Sequence, residues 1–137
     1  MTRKIPKKQR EKSTYINYFI KGEEFCRNME DCLLKKEYDT AALCGIHGVI
    51  SLLDALLVFS FGYVSASFNH EDAVILMSDL VNLPEVKQQS KHVLEVLRYK
   101  SKVEYLDCLA TEKQALSIQK NASRFYDWVK KQLPKRV

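Results

Sequence analysis

The chain has 137 residues and a formal net charge of +5, from 22 Lys+Arg against 17 Asp+Glu. At 46% hydrophobic and 28% charged residues it is neither low-complexity nor disordered as a whole, and its length suits one domain whose core needs no disulfide or metal. Only 4 Gly and 3 Pro leave too few turn residues for an all-β fold, so the predicted class is all-α.

Position matters more than total charge. Residues 1–12 carry six basic side chains (Arg3, Lys4, Lys7, Lys8, Arg10, Lys12) against Glu11, and residues 130–137 add Lys130, Lys131, Lys135 and Arg136, which leaves the span between them at −4. The predicted organisation is a mobile basic arm over 1–13, a helical domain over 14–133 and a basic tail over 134–137. A basic arm can contact nucleic-acid phosphates or an anionic membrane, and it is also what a plain solvated tail looks like. No apolar run of a secretory signal follows the basic start.

In chain order, Tyr15, Tyr18, Phe19, Gly22, Phe25, Cys26, Met29 and Leu33 recur at helical spacing, which predicts an amphipathic helix from Tyr15 to about Glu37. Asp39 is placed to cap a second helix from about Thr40 to Phe61, apolar nearly all round except at His47, Ser51 and Asp54. Its stretch from Ala41 to Phe61 is long enough to cross a bilayer, but Asp54 near its middle would cost about 2.5–3.5 kcal/mol there. The expectation is a buried central helix and no membrane. Residues 62–68 read as a loop, and Asn69-x-x-Asp72 as the start of a short helix to about Asn82. Pro84 suits the first turn of a fourth helix running to about Ala110, with Val86, Val93, Leu94, Leu97, Ser101, Tyr105 and Leu109 on one flank. Thr111-x-x-Gln114 is a capping box, opening a last helix that presents Ala115, Ile118, Ala122, Phe125, Trp128 or Val129, and Leu133 before Pro134. No strand pattern is visible. The predicted fold is an up-and-down bundle of four long helices and one short one.

Cys26, Cys32, Cys44 and Cys108 lack paired C-x-x-C spacing and read as small buried hydrophobes in a reducing cytoplasm, with no metal site and no cofactor. His70 and His92 read as solvated or capping residues. The chemistry-bearing pattern lies on the second helix, where His47, Ser51 and Asp54 fall on one line. A buried carboxylate must find a donor or a cation. Arg98, Lys102 and Tyr105 form a matching line on the fourth helix, and docking the two lines would pair Asp54 with Arg98 or Lys102. Such a seam is either a polar cluster that sets helix register or a cleft in which a cation holds phosphate while His47 or Tyr105 handles a proton.

The runs Tyr38-Asp39-Thr40-Ala41-Ala42, Gly45-Ile46-His47-Gly48-Val49-Ile50-Ser51 and Asp54-Ala55-Leu56, with the later Lys100-x-Lys102-Val103-Glu104-Tyr105 and Ala122-x-x-Phe125, resemble the HEPN (higher eukaryotes and prokaryotes nucleotide-binding) family over residues 15–133. The resemblance implies a helical bundle, commonly a homodimer. Its members are metal-independent ribonucleases of toxin–antitoxin and phage-defence systems, or non-catalytic domains that bind RNA, a nucleotide or a nucleotidyltransferase partner. Active members carry an Arg followed, four to six residues later, by a His. Here six residues separate Arg98 from Tyr105 instead, and the other basic-to-His spacing, Lys87 to His92, has Lys in the Arg position. Tyr, with an ordinary pKa of about 10, is a poor proton acceptor at neutral pH. The resemblance therefore implies a binding domain without catalysis; with the two polar lines docked, Arg98, Tyr105 and His47 would stand at the catalytic positions and Lys102, Asp54 and Ser51 at binding positions. A divergent ribonuclease and a structural dimerisation module are the alternatives.

Overall fold

The computed structural model describes residues 4–105 and 107–135, Tyr105 by its backbone only. Helices α1 (Tyr15–Leu34), α2 (Tyr38–Phe61), α3 (Glu71–Met77), α4 (Val86–Leu97), α5 (Lys100–Tyr105) and α6 (Glu112–Gln132) account for most of the described chain. They are joined by a two-stranded antiparallel sheet, β1 (Lys7–Gln9) with β2 (Tyr63–Ser65), in the register Lys8 opposite Val64.

The centre is α2. Ile46, Val49, Leu52, Leu53, Leu56 and Leu57 are buried, because a helix with almost no polar face can satisfy its surface only by being surrounded. By length and hydropathy it passes as a bilayer span, yet most of that span is covered by the rest of the chain. On one side lies α1, contributing Phe19, Cys26 and Met29, and on another α6, contributing Ala115, Ile118, Ala122, Phe125 and Val129. The contact between α1 and α2 is unusually close. A Cβ on Gly45 would sit 2.4 Å from Ile118 Cγ2 and 2.9 Å from Met29 Sδ, and one on Gly48 would sit 3.0 Å from Cys26 Sγ.

The α1–α2 connection is a Schellman turn. Lys36 N–H donates to Leu33 O and Glu37 N–H to Cys32 O, with Lys36 itself at φ 60 where glycine is the usual occupant. At the far end Gly62, at φ 75, closes α2 by donating to Val58 O, and its carbonyl accepts Arg10 N–H at 2.8 Å. That bond and the β1–β2 pairing lay part of the basic arm along the domain, with Ile5 and Val64 buried. Neither strand is visible in the sequence, since three residues are too short for a period-two signal and Lys7-Lys8-Gln9 has no apolar alternation.

Two expected elements differ. The helix expected from Pro84 to Ala110 starts at Val86, after Glu85 at φ 64, and breaks at Arg98–Tyr99 into α4 and α5. The buried line Val93, Leu97 continues at helical spacing onto Lys100 and Glu104, whose side chains are largely covered but charged, while Leu109 is exposed. The short helix ends at Met77 rather than near Asn82, and Asn69 and Asp72 do not form a box: Asn69 Oδ1 accepts Glu71 N–H, while the buried Asp72 accepts from Ser67 Oγ at 2.6 Å. The Thr111/Gln114 box is present in both directions, at 3.1 and 2.9 Å.

Because Gly45 sits between Met29 and Ile118, Gly45→Ala forces three elements apart, an overpacking that should cost about 1–3 kcal/mol. Urea unfolding followed by circular dichroism measures it, and a neutral result would mean that α1, α2 and α6 can separate around Gly45 at no cost.

Candidate functional site

The polar line of α2 meets partners from two directions. His47 Nε2 lies 2.9 Å from Glu104 Oε1, and Glu104 Oε2 accepts from Lys100 Nζ at 2.7 Å, so α5 docks on α2 through charge. The Phe25 ring of α1 lies 5.7 Å from the His47 ring. His70, just before α3, joins this cluster electrostatically: burial lowers its pKa first, Lys100 and His47 lower it further, and Glu104 opposes them. One turn beyond the half-buried Ser51, Asp54 lines a small cavity of about 60 Å³ with Ser65, Ser67, His70 and Val93. Burial pushes the Asp54 carboxyl up to about 7, against the pull of the Arg10 guanidinium.

Arg98 and Lys102 face elsewhere. With Tyr99, Thr111, Lys113, Gln114 and Ser117 they line an open depression of about 490 Å³ at the start of α6. Arg98 Nη1 is 3.3 Å from Glu95 Oε1 and its guanidinium lies 5.0 Å from the Tyr99 ring centroid, but its side chain is 62% exposed. An exposed pair of this kind is worth no more than about 1 kcal/mol, so Arg98 can exchange Glu95 for another anion at little cost. Three cations converge on the positive end of a 21-residue helix, and among the described residues neither a carboxylate nor a histidine lines the depression. This is an arrangement that can hold a phosphate-sized anion.

The expected seam is thus divided. Asp54 has Arg10 as its nearby cation rather than Arg98 or Lys102, and His47 is engaged by Glu104, which also pairs with Lys100. The Tyr105 side chain lies outside the described residues. The cause is the phase of the buried line: Val93 and Leu97 continue onto Lys100 and Glu104, which puts that flank of α5 against α2 and leaves Arg98 and Lys102 toward α6. Glu104, Lys100, His70 and Lys113 were missed. The signal for the first two was present, since Lys100 and Glu104 continue the buried spacing of Val93 and Leu97; Lys113 is marked only by its place beside the capping box. His92 is not a cap: partly exposed, it places its Nδ1 2.8 Å from Asn121 Oδ1 between α4 and α6. Among the described residues no cluster of His, Cys, Asp or Glu is arranged to hold a metal ion. No family model, curated protein or solved structure matches the chain.

The raised Asp54 pKa has a definite sign. Unfolded, this carboxyl ionises near 4; folded, it does so near 7, so the folded state binds the extra proton between those values and stability falls as pH rises through that window. Asp54→Asn keeps the shape and removes the charge, and should stabilise the protein at pH 8 by on the order of 1–3 kcal/mol while changing little at pH 4. Urea midpoints at the two pH values test this; destabilisation at pH 8 would show instead that Asp54 is a well-paired carboxylate.

Proposed function

We propose that this chain is a HEPN-like helical domain that binds RNA or a nucleotide through its phosphates without cleaving it. In this reading it acts in the cytoplasm as a homodimer, in a toxin–antitoxin or defence setting with a nucleotidyltransferase-type partner. The observation that carries the reading is the convergence of Arg98, Lys102 and Lys113 with the hydroxyls of Thr111 and Ser117 at the N-terminus of α6. Lys and Arg side chains, hydroxyls and a helix start are the groups that commonly contact nucleic-acid phosphates. The family assignment rests on the sequence resemblance of residues 15–133.

The geometry favours binding over catalysis. Metal-independent cleavage of RNA needs a group that takes the 2′-hydroxyl proton next to the cation that holds the phosphate. His47 is turned to Glu104, and no histidine lines the depression at Arg98 among the described residues. The basic arm would add a diffuse, salt-sensitive attraction. Because Ile5 is buried and Lys7–Gln9 are paired, the arm's charge is better tested by Lys4→Gln and Lys8→Gln than by deleting it.

Anisotropy titration of a short labelled single-stranded RNA over a salt series tests the proposal. Arg98→Ala and Lys102→Ala should each weaken binding and lower the log–log salt slope by about 0.7 for each phosphate no longer neutralised. Unchanged binding in the folded double variant would overturn the reading and leave a scaffold module. RNA cleavage in excess chelator, abolished by Arg98→Ala, would establish the ribonuclease alternative.

A further inference from the structure

Helices α4 and α6 run antiparallel along one furrow. Trp128 Nε1–H donates to Pro84 O at 3.0 Å at one end, His92 meets Asn121 in the middle, and Arg98 shares the open depression with Ser117 at the other. The Pro84 end opens into a second depression, of about 400 Å³ and of different character. Gln89 lines it at 6% exposure, and its Oε1 is shielded from solvent with no hydrogen-bond partner. A buried acceptor left unsatisfied is costly, and a turn of the amide toward a donor in the depression removes that cost. His92 also lines the depression, and its neutral ring has a fixed tautomer. Asn121 Nδ2 donates to Ser117 O, so Asn121 Oδ1 is an acceptor, His92 Nδ1 carries the proton and His92 Nε2 is left to accept. Around these two stand Arg124 and Lys131 against Glu85 and Asp127. Among the described residues none of these four side chains makes an ion pair or a hydrogen bond. Two cations offset two carboxylates, so this end, unlike the Arg98 end, does not collect phosphate. It suits an uncharged group that brings N–H donors.

We propose that this end of the furrow is a base-reading subsite for an unpaired 6-amino purine of the strand whose phosphate lies at Arg98; the proposal rests on the RNA-binding reading above. An amide reads such a base through two bonds, Gln89 Oε1 accepting from the 6-amino group and Gln89 Nε2 donating to N7. Three residues on, and so on the same face of α4, His92 Nε2 is a second acceptor. The exposed guanidinium of Arg124 is free to lie flat on the base, a common partner for bases splayed out of a single strand. Uracil has no amino group beside an N7 and cannot make both bonds to Gln89. From Gln89 to Arg98 at the C-cap of α4 the helix rises about 13 Å, a span that a few nucleotides of extended strand bridge. One end of the furrow then holds the backbone and the other reads a base, the usual division of labour in nucleic-acid recognition.

The test begins with free adenosine, which has no phosphate. Trp128 is the single tryptophan of the chain, so its indole N–H gives one NMR signal from the wall of the depression. Adenosine should shift that signal saturably and uridine should not. Gln89→Leu should weaken the adenosine response about fivefold or more, and Arg124→Ala, a change at an exposed position, should weaken it as well. In anisotropy titrations Gln89→Leu should remove a preference for hexaadenylate over hexauridylate while keeping the salt slope, whereas Arg98→Ala should lower the slope and keep the preference. No saturable shift with adenosine, an equal shift with uridine, or a shift that survives undiminished in Gln89→Leu or Arg124→Ala proteins of unchanged helicity would overturn the proposal. A saturable adenosine shift together with RNA binding that is insensitive to Arg98 and Lys102 would overturn the phosphate reading instead and leave the base site in place.

Discussion

Everything in this fold answers to the need to surround α2. A 24-residue helix with scarcely a polar face cannot lie on a surface, so α1 and α6 cover it while α3, α4 and α5 fill the remaining sectors. The covering comes with a condition. His47, Ser51 and Asp54 sit on one line of that helix, and whatever packs there must bring polar groups with it. Glu104, itself held by Lys100, does so for His47, whereas burial raises the Asp54 pKa against the pull of Arg10. The two ends of one polar line are therefore in different electrostatic states.

That division separates two kinds of chemistry. The inner cluster of His47, His70, Lys100 and Glu104 is mixed in charge and largely internally compensated, and it holds α5 in place. The outer depression of Arg98, Lys102 and Lys113 is open to solvent, and its one ion pair among the described residues, Arg98 with Glu95, is exposed and weak. A tightly paired cluster suits a joint, and a loosely paired basic one suits a ligand. Lys100 and Glu104 continue the buried line of α4 while Arg98 and Lys102 fall beside it, so one stretch of chain faces both.

The sequence made the helices legible wherever apolar spacing was long and unambiguous. The stripes of α1 and α6, the encircled α2 and the Thr111/Gln114 box could be read directly, because each rests on local periodicity or local hydrogen bonding. The strands could not, since β1 and β2 exist only through each other. The seam was legible as a set of polar residues on α2 but not in its pairing. Continuing α4 unbroken put Arg98 and Lys102 against Asp54, when the charged pair Lys100 and Glu104 already occupied the inward positions. Asp39 illustrates the same limit: expected to cap α2, it lies instead in the first turn after the N-cap Glu37, and its carboxylate accepts the Ala110 N–H from a distant part of the chain.

The pairing of β1 with β2 also closes the first half of the chain on itself. Residues 7–65 leave the sheet, run out along α1, return along α2 and rejoin the sheet just after Gly62, so the arm, both helices and the sheet form one ring. The sheet thereby ties the two open ends of the α1–α2 hairpin at one place, and the amide protons of the arm exchange as that short pairing opens.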